Sequence, residues 1–198
     1  MKGERYLSKM IMVTGGARSG KSTYAEATAK NFGKNIMYIA TAKRTDDEMI
    51  LRIKKHIQQR PSNWLTIEAY RGFDNILPQY IDSIDGVLLD CITIMTTNLM
   101  LDCPEVFDCA LTQWEELTME QVQEVENNIH KEVQALINFA KSSELPFIFV
   151  TNEVGLGLVP EYKMGRDFRD IAGRVNQILA KACDEVYFCV SGIPMKIK

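Results

Sequence analysis

The sequence predicts a three-layer α/β domain built on a mostly parallel sheet, and three observations lead there. Short apolar runs of strand type alternate with helix-forming segments along the chain, the order that produces a parallel sheet with helices on its faces. At 198 residues the chain is long enough to bury both sides of such a sheet. Between the first strand and the first helix lies a glycine-rich loop, Val13-Thr14-Gly15-Gly16-Ala17-Arg18-Ser19-Gly20-Lys21-Ser22. It fits G-x-x-x-x-G-K-[ST] with Gly15, Gly20, Lys21 and Ser22 in register, the pattern whose backbone N–H groups wrap the phosphates of a nucleoside triphosphate. The fold expected is therefore a P-loop NTPase domain of RecA-like type, with residues 1–9 as an N-terminal extension and residues 10–198 as one domain.

The elements follow in order. Met10-Ile11-Met12-Val13-Thr14 is a short apolar run ended by glycines, which suits a central strand feeding the loop. From Ser22 to about Asn31 the residues favour helix, with Ala25, Ala29 and Phe32 spaced to face a sheet and Gly33 placed as a C-cap. Ile36 to Ala42 reads as a second buried strand. Asp46-Asp47-Glu48 open a helix that Pro61 ends; Met49, Ile53 and Ile57 form its apolar stripe, and His56 falls at the margin. Trp64 to Tyr70 is a strand with Glu68 near its end, followed by a short amphipathic helix around Asn75 to Ile81. Gly86-Val87-Leu88-Leu89-Asp90 is an apolar strand ending in an acid, the second recurrent element of such sites and a candidate Mg²⁺ holder.

Cys91 to Asp108 is less regular; Thr93, Thr96, Thr97 and Asn98 could line a site but are equally ordinary cap and turn residues. Thr118-Met119-Glu120-Gln121 opens the longest helix with a capping box, and its stripe of Val122, Val125, Ile129, Val133, Leu136, Ile137 and Ala140 faces the core. His130 lies off that stripe and reads as a solvated residue. Pro146 to Thr151 is a buried strand continued by Asn152-Glu153 at its carboxyl end, where open α/β sheets bind ligands. Arg166 to Ala182 is an amphipathic helix with Phe168, Ile171, Val175, Ile178 and Leu179 inward and Arg166, Arg169, Asp170 and Arg174 on its polar side. Val186 to Val190 is the last strand.

Composition narrows the function classes. A hydrophobic content of 46% with 25% charged residues is that of an ordinary globular protein, and a net charge of −3 disfavours nucleic acid as the main partner. No apolar run reaches the length of a membrane span, and the first nine residues lack the apolar core of a signal peptide, so a cytoplasmic protein is expected. The five cysteines include no C-x-x-C pair and only two histidines accompany them, which disfavours structural zinc. The loop assigns Lys21 to the β- and γ-phosphates and the Ser22 hydroxyl to Mg²⁺.

Several further blocks narrow the reading: Tyr38-Ile-Ala-Thr41, Asp46-Asp-Glu-Met49, Thr151-Asn-Glu-Val-Gly155, Phe168-Arg-Asp-Ile-Ala-Gly-Arg-Val-Asn-Gln177, and Val190-Ser-Gly192 with the terminal Lys196-Ile-Lys198. With the loop and in this order, they resemble the bifunctional adenosylcobinamide kinase / adenosylcobinamide-phosphate guanylyltransferase family of cobalamin biosynthesis. The resemblance runs from about Met12 to the C-terminus. It implies two reactions: phosphoryl transfer from ATP or GTP to the aminopropanol hydroxyl of adenosylcobinamide, and transfer of GMP from GTP through an enzyme histidine to adenosylcobinamide phosphate. It further implies a ring-like trimer.

By position the guanylylated histidine falls on His56. Neutral imidazole is nucleophilic near pH 7, and Arg52, Lys54, Lys55 and Arg60 around it would disfavour its protonation and attract a triphosphate. The resemblance places Thr14, Gly15, Gly16, Ala17, Arg18, Ser19, Gly20, Lys21 and Ser22 on the triphosphate. It places Thr41, Ala42, Ile57, Gln58, Gln59, Arg60, Glu68 and Asp90 near the GTP, with Asp90 also a candidate metal residue. This chain departs from the family in having Lys55-His56 where two adjacent histidines are expected, which leaves one nucleophile, and Asp90 where a glutamate is expected. The alternatives in view are a P-loop kinase of another small metabolite without guanylyl transfer, and a non-catalytic module switched by nucleotide.

Overall fold

The computed structural model describes residues 9–43, 61–102 and 111–198. Seven strands form one sheet: β1 (Met10–Gly15), β2 (Ile36–Ala40), β3 (Leu65–Glu68), β4 (Gly86–Asp90), β5 (Phe147–Val150), β6 (Glu185–Val190) and β7 (Ile193–Lys196). Their order across the sheet is β3-β2-β4-β5-β1-β6-β7, and every neighbouring pair is parallel except β6 with β7. The helices are α1 (Lys21–Ala29), a short α2 (Phe73–Ile76), α3 (Ile92–Leu101), α4 (Met119–Ser142) and α5 (Lys163–Ala182).

Alternating strand residues point to opposite faces, and the core divides accordingly. On one face Met12, Met37, Leu89, Phe147 and Phe149 pack with Ile129, Val133 and Ile137 of α4 and Ile171, Val175 and Leu179 of α5. On the other, Ile11, Val13, Ile36, Leu88, Ile148 and Val150 pack with Ala25 and Ala29 of α1. Each fully buried Val, Leu or Ile contributes about 1.5–3 kcal/mol, so both layers are held by apolar burial, as the three-layer prediction requires. No helix among the described residues is long and apolar enough to cross a membrane.

Most expected elements form at or within a few residues of their predicted positions. The Thr118 box closes as read, with Gln121 N donating to Thr118 Oγ1 at 3.3 Å and Thr118 N donating to Gln121 Oε1 at 2.9 Å. The expected helix of residues 46–60, His56 included, lies outside the described residues, as do residues 1–8. Lys9, expected in a mobile extension, is instead tied down: its carbonyl accepts from Phe147 N at 2.8 Å and its Nζ pairs with Glu185 at 2.8 Å.

Other differences have identifiable causes. Residues 92–101, read as irregular, form α3 because Met95, Leu99 and Met100 bury against the core, and tertiary burial overrides the weak helix preference of Thr and Asn. Gly33 is not a left-handed cap, since α1 already ends at Ala29; a Cβ there would lie 2.4 Å from the Asp85 carboxylate, which accepts from Lys34 N and Asn35 N at 2.8 Å each. The short helix expected at Asn75 to Ile81 begins at Phe73 and passes into 3₁₀ turns around Pro78. β7 was not expected at all; Ser191 and Gly192, both at positive φ (51° and 83°), turn the chain back onto β6 in the manner of a two-residue hairpin. His130 is half-buried beside Glu126 of α4 (Nε2 to Oε1 3.4 Å), and Glu126, 4% exposed, is held by the Arg174 guanidinium from α5 with Nη2 donating at 2.9 Å. His130 is thus less solvated than its place off the stripe suggested.

Candidate active site

The parallel register brings the carboxyl ends of five strands to one edge: Ala40 lies beside Asp90, Asp90 beside Val150, Val150 beside Val13, and Gly15 beside Cys189. The glycine-rich loop leaves β1 at this edge and enters α1, whose N-terminal N–H groups point back at it. Two glycines are required by geometry. Gly15 has φ 155° and a Cβ on it would lie 2.5 Å from Cys189 O; Gly20 has φ 89° and a Cβ on it would lie 2.9 Å from Gly192 Cα. Gly192 N in turn donates to Ser19 O at 2.9 Å, so the β6–β7 turn braces the loop from outside.

Lys21 is buried at 9% exposure, and its Nζ donates to Gly16 O at 2.9 Å, over the loop it would share with phosphate. The hydroxyls of Thr14 and Ser19 are buried without a hydrogen-bond partner. Buried polar atoms are nearly always satisfied, so these two hydroxyls keep hydrogen-bonding capacity that a polar ligand at the loop would use.

Asp90 ends β4 on the face covered by α1 and accepts from Tyr38 OH through Oδ2 at 3.0 Å. β5 separates β4 from β1, so Asp90 stands two strand spacings from the loop, roughly 10 Å. Ser22 begins α1 on the same face of the sheet. These two are hard oxygen donors of the kind Mg²⁺ accepts. Thr41 is fixed by an exchange with the next strand's end, its Oγ1 donating to Cys91 O at 2.8 Å and accepting from Cys91 N at 2.9 Å, while Asn98 Nδ2 of α3 donates to Thr41 O at 2.7 Å. Ala42 follows it, half-buried. Lys43, the next residue, pairs with Asp102 at the end of α3, where Tyr70 OH also donates and Arg71 Nη2 stands at 3.5 Å. The hydrogen bond from Lys43 holds the Asp102 carboxyl below its ordinary range. Glu68 ends β3, exposed at the same edge. His56, Ile57, Gln58, Gln59 and Arg60 lie outside the described residues.

Thr93, Asn152 and Glu153, candidates for the site by sequence but assigned no role there, come together in the fold. Thr93 Oγ1 lies 3.1 Å from Thr151 Oγ1 and accepts from Asn152 N at 2.6 Å; Thr151 Oγ1 donates to Asn176 Oδ1 at 2.7 Å; Asn176 Nδ2 donates to Asn152 O at 3.0 Å. Glu153 N donates to Gly15 O at 3.1 Å. A closed polar ring thus joins β5, α3 and α5 beside the phosphate loop. Asn176 was missed: it lies within the Phe168–Gln177 block but had no role of its own there, as a polar residue next to the inward stripe of α5.

Comparisons with known proteins point to one family. A family model described as "Cobinamide kinase / cobinamide phosphate guanyltransferase" matches residues 11–197. The chain is 46% identical over 189 residues to the "Bifunctional adenosylcobalamin biosynthesis protein CobU" of Escherichia coli (strain K12), covering 96% of this chain and 99% of that protein. The protein of the same name from Salmonella typhimurium is also 46% identical over the same shares. The "Bifunctional adenosylcobalamin biosynthesis protein CobP" of Pseudomonas aeruginosa is 36% identical over 94% of this chain and 96% of its own length. Among solved structures, a KaiC-like protein from Pyrococcus horikoshii OT3 superposes with a TM-score of 0.47 at 12% identity, over 94% of this chain and 73% of that one. The chain belongs to the cobinamide kinase / cobinamide phosphate guanyltransferase family.

Proposed function

We propose that this chain, acting as one domain over residues 10–198, phosphorylates adenosylcobinamide with ATP or GTP and then transfers GMP from GTP to adenosylcobinamide phosphate, releasing pyrophosphate and forming adenosylcobinamide-GDP. The observation that carries the reading is the phosphate loop itself, with its buried Lys21 and its two unsatisfied hydroxyls, in a chain matching the family from end to end.

One nucleotide site serves both reactions. In the first, the loop amides and Lys21 hold the β- and γ-phosphates, and the acceptor hydroxyl attacks the γ-phosphorus while its bond to the β-bridging oxygen breaks. Positioning and neutralisation of charge supply most of the catalysis. Ser22 and Asp90 would hold Mg²⁺, which supplies further neutralisation of the phosphate oxygens. In the second, a ring nitrogen of His56 attacks the α-phosphorus and pyrophosphate leaves. The phosphoramidate so formed passes its GMP to the phosphate of the acceptor, which regenerates the imidazole. By the family resemblance, Thr41, Ala42, Ile57, Gln58, Gln59, Arg60, Glu68 and Asp90 would contact the GTP. By family resemblance the working form is a ring-like trimer, and the setting we propose for it is the cytoplasm.

The test is incubation with GTP labelled in the α-phosphate. It should yield an acid-labile GMP adduct and pyrophosphate with the parent protein and no adduct with His56→Ala. Adduct formation by that variant would remove His56 as nucleophile, and a parent protein that phosphorylates adenosylcobinamide without releasing pyrophosphate from GTP would be a plain kinase. Lys21→Ala should lose both activities, because a single loop holds the nucleotide for both.

A further inference from the structure

The nucleotide site accounts for one substrate and leaves the second, a large corrinoid, without a seat. A cavity of about 510 Å³ opens between α3 and the start of α5, lined by Thr97, Met100, Leu101, Tyr162, Met164 and Phe168 among others. Its volume falls within the range typical of small-molecule sites. The polar groups at its wall are already engaged: Glu115 accepts from Lys163 N and Met164 N at 3.2 Å each, Thr97 Oγ1 donates to Thr93 O at 3.0 Å, and Arg166 Nη1 donates to Pro160 O at 3.1 Å. What the cavity offers a ligand is apolar surface.

Its position relates it to the chemistry. The segment 153–162 starts where Glu153 N meets Gly15 O of the phosphate loop and ends in the cavity wall at Pro160 and Tyr162. Thr97 is one turn along α3 from Thr93, and Phe168 precedes Asn176 on α5 by eight residues, or about 12 Å of helix. Thr93 and Asn176 are both members of the polar ring beside the loop. The cavity therefore sits roughly a helix turn or two beyond the phosphates. The reactive hydroxyl of adenosylcobinamide hangs from the corrin ring on an amide arm of seven bonds, a reach of about 9 Å at bond lengths near 1.5 Å. A ring edge seated at the Thr97 end of the cavity, about 6 Å of helix from Thr93, brings the hydroxyl to the polar ring beside the phosphate loop.

We propose that this cavity is the corrinoid subsite, gripping the methylated edge of the macrocycle, with the arm running along residues 152–155 to the γ-phosphate. This rests on the family activity described above. A whole corrinoid exceeds the cavity, and the exposed Leu156, Leu158 and Val159 on the adjoining segment extend its apolar wall outward to cover the remainder. The subsite is separate from nucleotide binding, so guanylylation of the enzyme by GTP alone does not depend on it.

Steady-state kinetics of Leu101→Arg and Tyr162→Ala test this. Both side chains are already partly or largely exposed, at 37% and 71%, so neither change removes a core residue. For Leu101→Arg the KM for adenosylcobinamide in the kinase reaction should rise about tenfold or more, the effect of losing one large apolar contact and burying charge. The KM for GTP and the yield of labelled GMP adduct from GTP alone should match the parent. An unchanged corrinoid KM in both variants overturns the assignment, as does an unchanged KM accompanied by a shift in sedimentation, which would make the cavity a contact between copies of the chain. If Leu101→Arg also loses the adduct, it has damaged the fold and Tyr162→Ala alone decides. A parent protein inactive toward adenosylcobinamide would instead refute the family activity for this chain.

Discussion

Replacing Thr151 by valine isolates the polar ring from everything else the site does. Thr151 is 1% exposed, and valine matches its shape, so no cavity forms. The direction of each bond is fixed by proton count. Thr151 donates its only hydroxyl proton to Asn176 Oδ1 at 2.7 Å, so Thr93 must donate across the 3.1 Å contact to Thr151. Valine removes both the donor to Asn176 and the acceptor for Thr93, leaving two buried groups unpaired. At about 1–3 kcal/mol for each orphaned group, partly offset because the hydroxyl itself no longer needs desolvating, the net loss is roughly 2–3 kcal/mol. For a domain of this size that lowers the melting temperature by about 5–10 °C. The kinase kcat should fall as well, since Asn152 is bonded at both its N and its O by Thr93 and Asn176 and stands next to Glu153 at the phosphate loop. Thr151→Ser, which keeps the hydroxyl and loses one methyl, should retain most of the activity. Differential scanning calorimetry of the two variants decides the matter. A valine variant melting within about 1 °C of the parent would show that the ring contributes almost nothing.

Two further outcomes follow from the titrating groups. Burial by itself would raise the Glu185 carboxyl, but donation from Lys196, Lys9 and Tyr187 outweighs it and holds the group at about 2 against an ordinary 4.5. Because the folded value is depressed, the stabilisation is fully present above about pH 4.5 and is lost as pH falls toward about 2. The melting temperature of Glu185→Gln should therefore fall less steeply than the parent's across that window, and parallel curves would refute the pairing. Burial first, and then the charge of Asp90, pushes the Cys91 thiol up to about 12, and burial with Asp184 does the same to Cys183. Since the thiolate is the reactive form, iodoacetamide at pH 8 should leave both unmodified in the native protein and label them once it is unfolded. Peptide mapping that finds either labelled at the rate of an exposed thiol would contradict their burial.

The parts legible in the sequence were those whose signal is local. Gly15 to Ser22 is legible because the members of its pattern are contiguous in sequence, and Gly86 to Asp90 because a parallel strand buried on both faces is a continuous apolar run. α4 announced itself by period and by its capping box. α3 was hidden because its helical state is imposed from outside: Thr93, Thr96, Thr97 and Asn98 have poor intrinsic preference, and the partners that hold Thr93 and Asn98 are Thr41, Thr151 and Asn152, more than fifty residues away. Glu126 was hidden for the same reason, since the Arg174 that makes its burial tolerable lies 48 residues downstream on another helix. The resemblance to a family reached His56, which composition and spacing alone present as one more half-buried helix histidine.

The strand order explains how one edge of the sheet can serve two substrates. Had β1 and β4 been neighbours, Asp90 would stand against the phosphate loop and no strand end would be available between them. Inserting β5 between them costs Asp90 a strand spacing but delivers Thr151, Asn152 and Glu153 to the middle of the edge. Alternation along the sheet then sorts the groups by face: Asp90 and Ser22 lie toward α1, while Thr14, Thr151 and Thr93 lie toward α3 and α5. On the proposed assignments, Asp90 and Ser22 as metal holders and the cavity as the acceptor's seat thus lie on opposite faces of the sheet, with the phosphate loop between them. In the proposed arrangement that division lets the corrinoid approach from the α3–α5 side while the nucleotide is held, because the cavity's lining is separate from the loop.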